Sequence, residues 1–184
     1  MGPAMKRVEL LICGFGGQGV VFAGVLLGNA AVNAGLEAAQ SASYGAEARG
    51  SACHAGVILS SRPISYPKVR TPDLLIALSQ AGYDKFHPAV REDGLVLYDG
   101  DLVSVKESGP ARHVPVAATA IATDLGARGV ANVVIAAAAV ALAGLFDKEI
   151  LRETLEAYSP ESFREANLRA LHAGFDLAES LRTA

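Results

Sequence analysis

Short apolar runs separated by glycine and turn residues fill the first two thirds of the chain, and helical spacing takes over in the last third. Residues 8–13 (VELLIC) run straight into a glycine cluster, the pattern of a strand buried on both faces of a parallel sheet. Residues 18–34 hold no proline and many small side chains, and Gly35 follows as a stop signal, so a helix is predicted there. Gly24 and Gly28 lie four apart on one face of it, which lets that face approach a sheet or helix closely. Residues 36–40 predict a second strand and 52–60 (ACHAGVILS) a third, β-branched toward its end. After the turn-rich stretch 61–72, residues 73–78 (DLLIAL) predict another buried strand and 79–86 a short helix. Further strands are expected at 94–98 and 111–116, with the polar segment 100–109 as a hairpin or loop between them.

From Ala117 onward the pattern is helical. Residues 132–143 are nearly all alanine and valine, and a helix that is apolar all round is normally buried. Asp147 and Ser159-Pro160 supply start signals, the latter with serine as cap and proline at the first helical position. The last helix carries Leu168, Leu171, Phe175, Ala178 and Leu181 at helical spacing. Strands alternating with helices indicate an α/β fold with a largely parallel sheet and a helical C-terminal part. No repeat, low-complexity tract or linker divides it, so residues 1–184 are expected to form one domain, with residues 1–4 read as a cloning remnant ahead of Met5.

Composition narrows the function classes. Hydrophobic residues make up 51% and the mean hydropathy is +0.31. Two explanations stand: an alanine- and glycine-rich interior, or apolar surface buried against a partner. A net charge of −3 without a basic stripe excludes a nucleic-acid surface, which needs clustered Lys and Arg. Lys6-Arg7 followed by apolar residues suggests a leader, but Glu9, Gln18 and the glycines at 14, 16, 17 and 19 interrupt it. The apolar stretch 133–146 is too short to span a bilayer. No membrane association and a cytoplasmic location are therefore expected. Cys13 and Cys53 are too few for an iron–sulfur cluster, and His54, His87, His113 and His172 lack ligand spacing. No bound metal is expected, nor a disulfide.

Gly14-Phe15-Gly16-Gly17-Gln18-Gly19 satisfies G-x-G-x-x-G directly after a predicted strand and at the opening of a helix. Backbone N–H groups in that setting hold an anionic group, and nicotinamide dinucleotide is the first candidate. Such a site also needs an acidic residue at the end of the second strand, for the ribose. Here the strand ends Gln40-Ser41-Ala42-Ser43, without a carboxylate. Three readings stay open: a phosphate such as that of coenzyme A, a structural or interface loop, or a dinucleotide. Residues 43–50 (SYGAEARG) form a second unusual loop, expected near the first at the carboxyl edge of the sheet. In it Arg49 either binds a phosphate or carboxylate through its guanidinium fork, or pairs with Glu47 or a partner's carboxylate to brace an interface. No nucleophile motif is present. His54 reads as a hydrogen-bonded core histidine, and Asp99 and Asp101 as solvated turn carboxylates.

These segments together resemble a known family. G-F-G-G-Q-G-V at 14–20, S-Y-G-A-E-A-R-G at 43–50 and Y-P-K-V at 66–69 are similar to the γ subunits of 2-oxoacid:ferredoxin oxidoreductases. Asp73 before LLIALSQ, Asn132 at the apolar helix, and E-A-N-x-x-A-x-x-x-G from Glu165 to Gly174 match as well. The likeness runs in order through nearly the whole chain and is strongest to the 2-oxoglutarate branch; the pyruvate, branched-chain 2-oxoacid and indolepyruvate branches are less similar. Two positions depart from the pattern: Ala46, where the family has proline, and Ser51, where it has a second glycine.

The resemblance implies a single Rossmann-like accessory domain, inactive alone, in an oxidoreductase that decarboxylates a 2-oxoacid, forms an acyl-CoA and reduces ferredoxin. It implies α and β partner subunits carrying thiamine diphosphate and magnesium, and a ferredoxin-like δ subunit carrying iron–sulfur clusters. No cofactor is expected on this chain alone. Gly14, Gly16, Gly17, Gln18 and Gly19, with Ser43, Tyr44, Glu47, Arg49 and Gly50, are then the residues expected at the coenzyme A region or a subunit interface. The competing classes are a nicotinamide-dependent reductase and a free-standing module that binds coenzyme A or a nucleotide.

Overall fold

The computed structural model describes residues 7–43, 52–105 and 109–183. Its centre is β1 (Arg7–Phe15), which pairs antiparallel with β3 (Ala52–Ser60) on one edge and parallel with β4 (Leu74–Ala77) on the other. β2 (Glu37–Ser43) adds antiparallel to β3; β5 (Leu95–Asp99) and β6 (Arg112–Val116) continue in parallel beyond β4. The order is β2-β3-β1-β4-β5-β6. Five strands therefore point one way and β3 alone runs against them. The sheet is mixed, largely parallel as expected, with an antiparallel β2–β3 pair where a doubly wound fold would place a helical crossover.

Alternate residues of the central strands feed two cores, as the period of two requires. Leu10, Ile12, Leu74, Ile76 and Leu97 enter the larger one. Leu11, Cys13, Leu75, Ala77 and Val96 enter the smaller one on the other face. Cys53 lies in the larger core and Cys13 in the smaller, so the sheet separates the two thiols. Burial pushes the Cys13 thiol up to about 12, which leaves it an inert thiol at neutral pH.

Over the larger core lie α1 (Val20–Asn33), α3 (Ala118–Asp124), α4 (Ala131–Ala143), α5 (Lys148–Tyr158) and α6 (Glu161–Thr183). α2 (Gln80–Phe86) covers the smaller one. Gly35, at φ 80°, ends the α1 segment as the stop signal predicted. α4 sits between β4–β5 and α6, which is why its residues 132–140 are all buried and why it could dispense with a polar face. Gly24 meets β3 closely, a Cβ there standing 3.1 Å from Ala55 Cβ, while Gly28 has more room. None of the described helices is long and apolar enough to cross a membrane.

Several expectations need correction. Segment 100–109 cannot be a hairpin, because β5 and β6 run parallel; its described residues are loop. The second strand extends to Ser43, since an edge strand with an exposed face tolerates polar residues. Asp147 caps α5 as predicted, accepting from Glu149 N at 2.8 Å. α6 starts at Glu161, with Pro160 just before it, and the buried Ser159 hydroxyl accepts instead from Asn167 Nδ2 at 2.9 Å.

That bond explains the E-A-N-x-x-A-x-x-x-G segment. Asn167, Ala170 and Gly174 share one face of α6 and are all buried. A Cβ at Gly174 would collide with the Val134 carbonyl oxygen and stand 2.8 Å from Ala137 Cβ, so α4 and α6 touch backbone to backbone. Gly174→Ala should lower unfolding free energy by about 1–3 kcal/mol through overpacking. Urea denaturation reads this directly, and a wild-type midpoint would refute the close contact.

The opposite, amino edge of the sheet is held by charge. Asp73 Oδ2 accepts from Glu9 N at 2.7 Å, and its Oδ1 meets Arg91 Nη1 at 2.6 Å. Glu9 Oε2 accepts from Arg70 N at 2.7 Å and Thr71 N at 3.4 Å, and Oε1 takes Arg7 Nη2 at 2.9 Å. Burial alone would raise the Glu9 carboxyl, but these bonds outweigh it and leave it below the usual carboxylate range. A depressed carboxyl contributes stability above its unfolded value and loses it as pH falls through the folded one. The stability gap between wild type and Glu9→Gln should thus be widest near pH 6 and close on acidification through the carboxylate range. A gap that does not change with pH would show that the charge of Glu9 contributes nothing.

Candidate functional site

β1 delivers its last residue to the carboxyl edge of the sheet, and the glycine loop turns there into α1. Gln18 N donates to Phe15 O at 3.1 Å, closing the turn. The Gln18 side chain then ties it down: Oε1 accepts from Phe15 N at 2.6 Å and Nε2 donates to Leu78 O at 2.7 Å, just beyond β4. Gly17 (φ 95°) and Gly19 (φ 72°) adopt left-handed backbone. Gly19 is the N-cap of α1, no side chain caps that end, and the first turn holds no acidic residue. Its carbonyl accepts from Ala23 N at 2.9 Å and from Asn132 Nδ2 at 3.1 Å. A Cβ on Gly19 would overlap that Asn132 amide, so glycine is required there for space as well as for φ.

Beside the loop opens a cleft of about 370 Å³ lined by Gly17, Gln18, Leu78, Asp99, Thr119 and Arg128 among others. Every wall comes from the carboxyl edge of the parallel strands, next to β1 and β4 where the strand order reverses direction. Asp99 was expected in a solvated turn; it is fully buried. Its Oδ2 accepts from Thr119 Oγ1 at 2.6 Å and its Oδ1 from Asp101 N at 3.1 Å. Asp101 Oδ2 in turn accepts from Ala120 N at 2.8 Å, so the two carboxylates fasten the start of α3. Arg128 is exposed in a 3-10 turn, Arg128–Val130, that leads into α4, and it contributes a guanidinium to the cleft wall.

The far side of the same loop has the opposite character. Phe15, Val20, Val21, Phe22 and Cys53 line a mostly apolar groove of about 300 Å³ together with the loop glycines, and Phe15 is 38% exposed. The loop is thus a partition between a polar cleft and an apolar groove.

The second predicted loop is only partly described. Tyr44, Glu47, Arg49 and Gly50 lie outside the described residues. Ser43, at the end of β2, points to neither the cleft nor the groove. It lines a shallow cavity of about 320 Å³ with Leu11, His54, Lys68 and Val69, on the side of the smaller core. His54 is half-buried there and not a core residue; burial, and then the charge of Lys85, hold its pKa below the ordinary value. Its ring packs against Phe86 at 5.0 Å. The structure therefore brings Gly14 and Gly16 through Gly19 together and leaves Ser43 one strand away, across β3. Asp99, read from the sequence as a turn carboxylate, was not assigned to the site, and neither were Thr119 and Arg128. Asp99 could have been, since an aspartate that ends a buried parallel strand must reach the carboxyl edge; Arg128 carries no such signal. Among the described residues no group of three or more His, Cys, Asp or Glu could hold a metal ion.

The loop makes unequal demands on its glycines. Gly19→Ala combines left-handed backbone, worth at least about 1–2 kcal/mol, with the clash against Asn132. Gly16 has negative or extended φ and no atom within 4 Å of a Cβ, so Gly16→Ala should change stability by less than about 0.5 kcal/mol. Thermal melting of the two variants would decide; equal melting temperatures would contradict this account of the loop.

Comparison with known proteins agrees with this architecture. Residues 9–177 match the family model described as pyruvate ferredoxin/flavodoxin oxidoreductase. The 2-oxoglutarate synthase subunit KorC of Methanocaldococcus jannaschii is 40% identical over 95% of this chain and 96% of its own length. The ketoisovalerate oxidoreductase subunit VorA of Methanothermobacter thermautotrophicus is 37% identical over 96% of this chain, which covers 37% of that longer protein. Among solved structures, the γ subunit of a keto/oxoacid ferredoxin oxidoreductase from Geobacter sulfurreducens superposes with a TM-score of 0.85 at 36% identity, over 95% of this chain and 98% of that one. The ordered motifs, the mixed six-stranded sheet and these likenesses agree: the chain belongs to the pyruvate ferredoxin/flavodoxin oxidoreductase family, as a γ-type subunit of a 2-oxoacid:ferredoxin oxidoreductase.

Proposed function

We propose that this chain serves a 2-oxoglutarate:ferredoxin oxidoreductase, in which 2-oxoglutarate loses carbon dioxide, the succinyl group passes to coenzyme A, and two electrons go to ferredoxin. The observation that carries the choice of oxoacid is the end-to-end likeness to the archaeal 2-oxoglutarate synthase subunit, 40% identical over 95% of the chain. Its partners are α and β subunits that bind thiamine diphosphate and magnesium, with a ferredoxin-like δ subunit that carries iron–sulfur clusters. Bound in those partner subunits, thiamine diphosphate would supply an electron sink for decarboxylation and the clusters one-electron acceptors. No residue of this chain is assigned to hold either.

The glycine loop acts on both of its sides. On the cleft side, Gly17 leaves open space where a side chain would stand, and Arg128 offers a positive charge opposite the N-terminus of α1. A phosphate of coenzyme A fits that chemistry: backbone amides and a guanidinium for an anion, with no acidic residue in the first turn of α1 and the one carboxylate of the lining, Asp99, engaged by Thr119 Oγ1 and Asp101 N. On the groove side, Phe15 and its apolar neighbours pack against a partner subunit. Ser43, which lines the cavity on the other face of the sheet, and with it Tyr44, Glu47, Arg49 and Gly50, are read as a separate contact to a partner subunit or to coenzyme A.

Reconstitution tests the assignment. The complete complex should reduce ferredoxin with 2-oxoglutarate and coenzyme A at least about tenfold better, by kcat/KM, than with pyruvate or 2-oxoisovalerate, which is more than about 1.4 kcal/mol of discrimination. Omitting this chain should abolish the activity. Full turnover without it would rule out the assembly role, and a preference for 2-oxoisovalerate would move the chain to the branched-chain branch. Calorimetric binding of NAD(P) to the chain alone would revive the reductase reading.

A further inference from the structure

We propose that Asn132 is a positioning residue for coenzyme A: it fixes the width of the cleft by tying the glycine loop to the Arg128 turn. This rests on the reading that the cleft takes a coenzyme A phosphate. Asn132 is the second residue of α4 and is 4% exposed. Every other buried residue of that helix is valine, isoleucine or alanine. An aliphatic side chain would meet the packing demand, so a buried amide calls for a reason. Its one described bond is Nδ2 to Gly19 O, across 113 positions of chain. That carbonyl does not need it, because Ala23 N already donates to it at 2.9 Å in the first turn of α1. The bond therefore satisfies no orphan group; what it does is set a distance.

The distance matters because of what stands at its two ends. Gly19 closes the loop whose Gly17 and Gln18 form one wall of the cleft. Asn132 follows directly on the turn Arg128–Val130 and Ala131, which form the facing wall. Gln18 clamps the same loop from a third direction through Leu78 O. With both amides in place the backbone of the loop and the backbone of the turn that carries Arg128 are held at a fixed separation, so an anion between the two walls meets a cleft of preset width. Without Asn132 the loop keeps its glycine backbone and its helix bond, but the two walls are no longer fastened together.

The test uses the reconstituted complex with coenzyme A as the varied substrate. Asn132→Asp removes the donor and sets a carboxylate against the Gly19 carbonyl; Asn132→Ala removes the tie alone and serves if the first does not assemble. Each should raise KM for coenzyme A about tenfold, with kcat and KM for 2-oxoglutarate within about twofold, the split expected when only binding is lost. Lower thermal stability and kcat with an unchanged KM for coenzyme A would make Asn132 a packing residue and overturn the proposal. Arg128→Ala separates the underlying reading: an unchanged KM for coenzyme A there would show that the cleft does not take the cofactor. A raised KM in Arg128→Ala but not in the Asn132 variants would reject the positioning role alone.

Discussion

Hydrogen bonding along both edges of β1 is the constraint on which the other features depend. A strand paired on both sides is central, and a central strand is covered on both faces. Its alternating residues must then build two cores, which the VELLIC run does by sending Leu10 and Ile12 one way and Leu11 and Cys13 the other. Its amino end is fixed through Glu9 and Asp73, so its carboxyl end is fixed too, and the glycine loop leaves from a rigid platform. The site inherits its geometry from that strand, and the loop only has to turn.

The second organising feature is the use of very small residues where helices meet. α4 brings a run of alanine and valine between sheet and α6, and Gly174 lets the two helix backbones touch. Thin side chains bring more backbone into a given volume, so this layer is dense without large hydrophobes. It also answers the question raised by the apolar composition. Much of the alanine is interior. Among the described residues the large exposed hydrophobes include Val32, Tyr158 and Phe163 away from the glycine loop, with Phe15 on its groove side and Leu102 on its cleft side.

Sequence patterning reveals burial well and direction poorly. VELLIC and DLLIAL were legible as strands because both faces are apolar, and the alanine-valine helix because no face is polar. That β3 runs against its neighbours was not legible, since alternation is the same read from either end. β2 was cut short at Gln40 because its exposed edge allows Ser41 and Ser43, residues that otherwise signal a loop. Asp99-Gly100-Asp101 looked like a solvated turn for good local reasons. Its burial depends on α3 being laid across it by a strand 13 or more positions later, and only the fold supplies that. Of the site, the glycine loop was plain, whereas the Asn132 tie and the Arg128 wall arise from a helix that returns more than a hundred residues later.

The chemistry of the loop also explains why a glycine fingerprint need not make a nucleotide enzyme. Phosphate loops that bind tightly on their own add a lysine, and dinucleotide sites add a carboxylate for the ribose. The cleft here has, on its described walls, one exposed guanidinium and a carboxylate already committed to α3. An exposed ion pair contributes about 0–1 kcal/mol, and a few loop amides beside it add only a few kcal/mol more, short of what micromolar binding requires. A ligand in this cleft must draw most of its binding energy from another surface. The groove behind the loop offers one: on the proposed reading, a partner docked on Phe15 would press on the same glycine turn that forms the cleft wall, since Gly17 lines both cavities. If the cleft takes a ligand as proposed, weak intrinsic affinity and a shared loop would together make its capture conditional on assembly, as an accessory subunit that acts only in its complex requires.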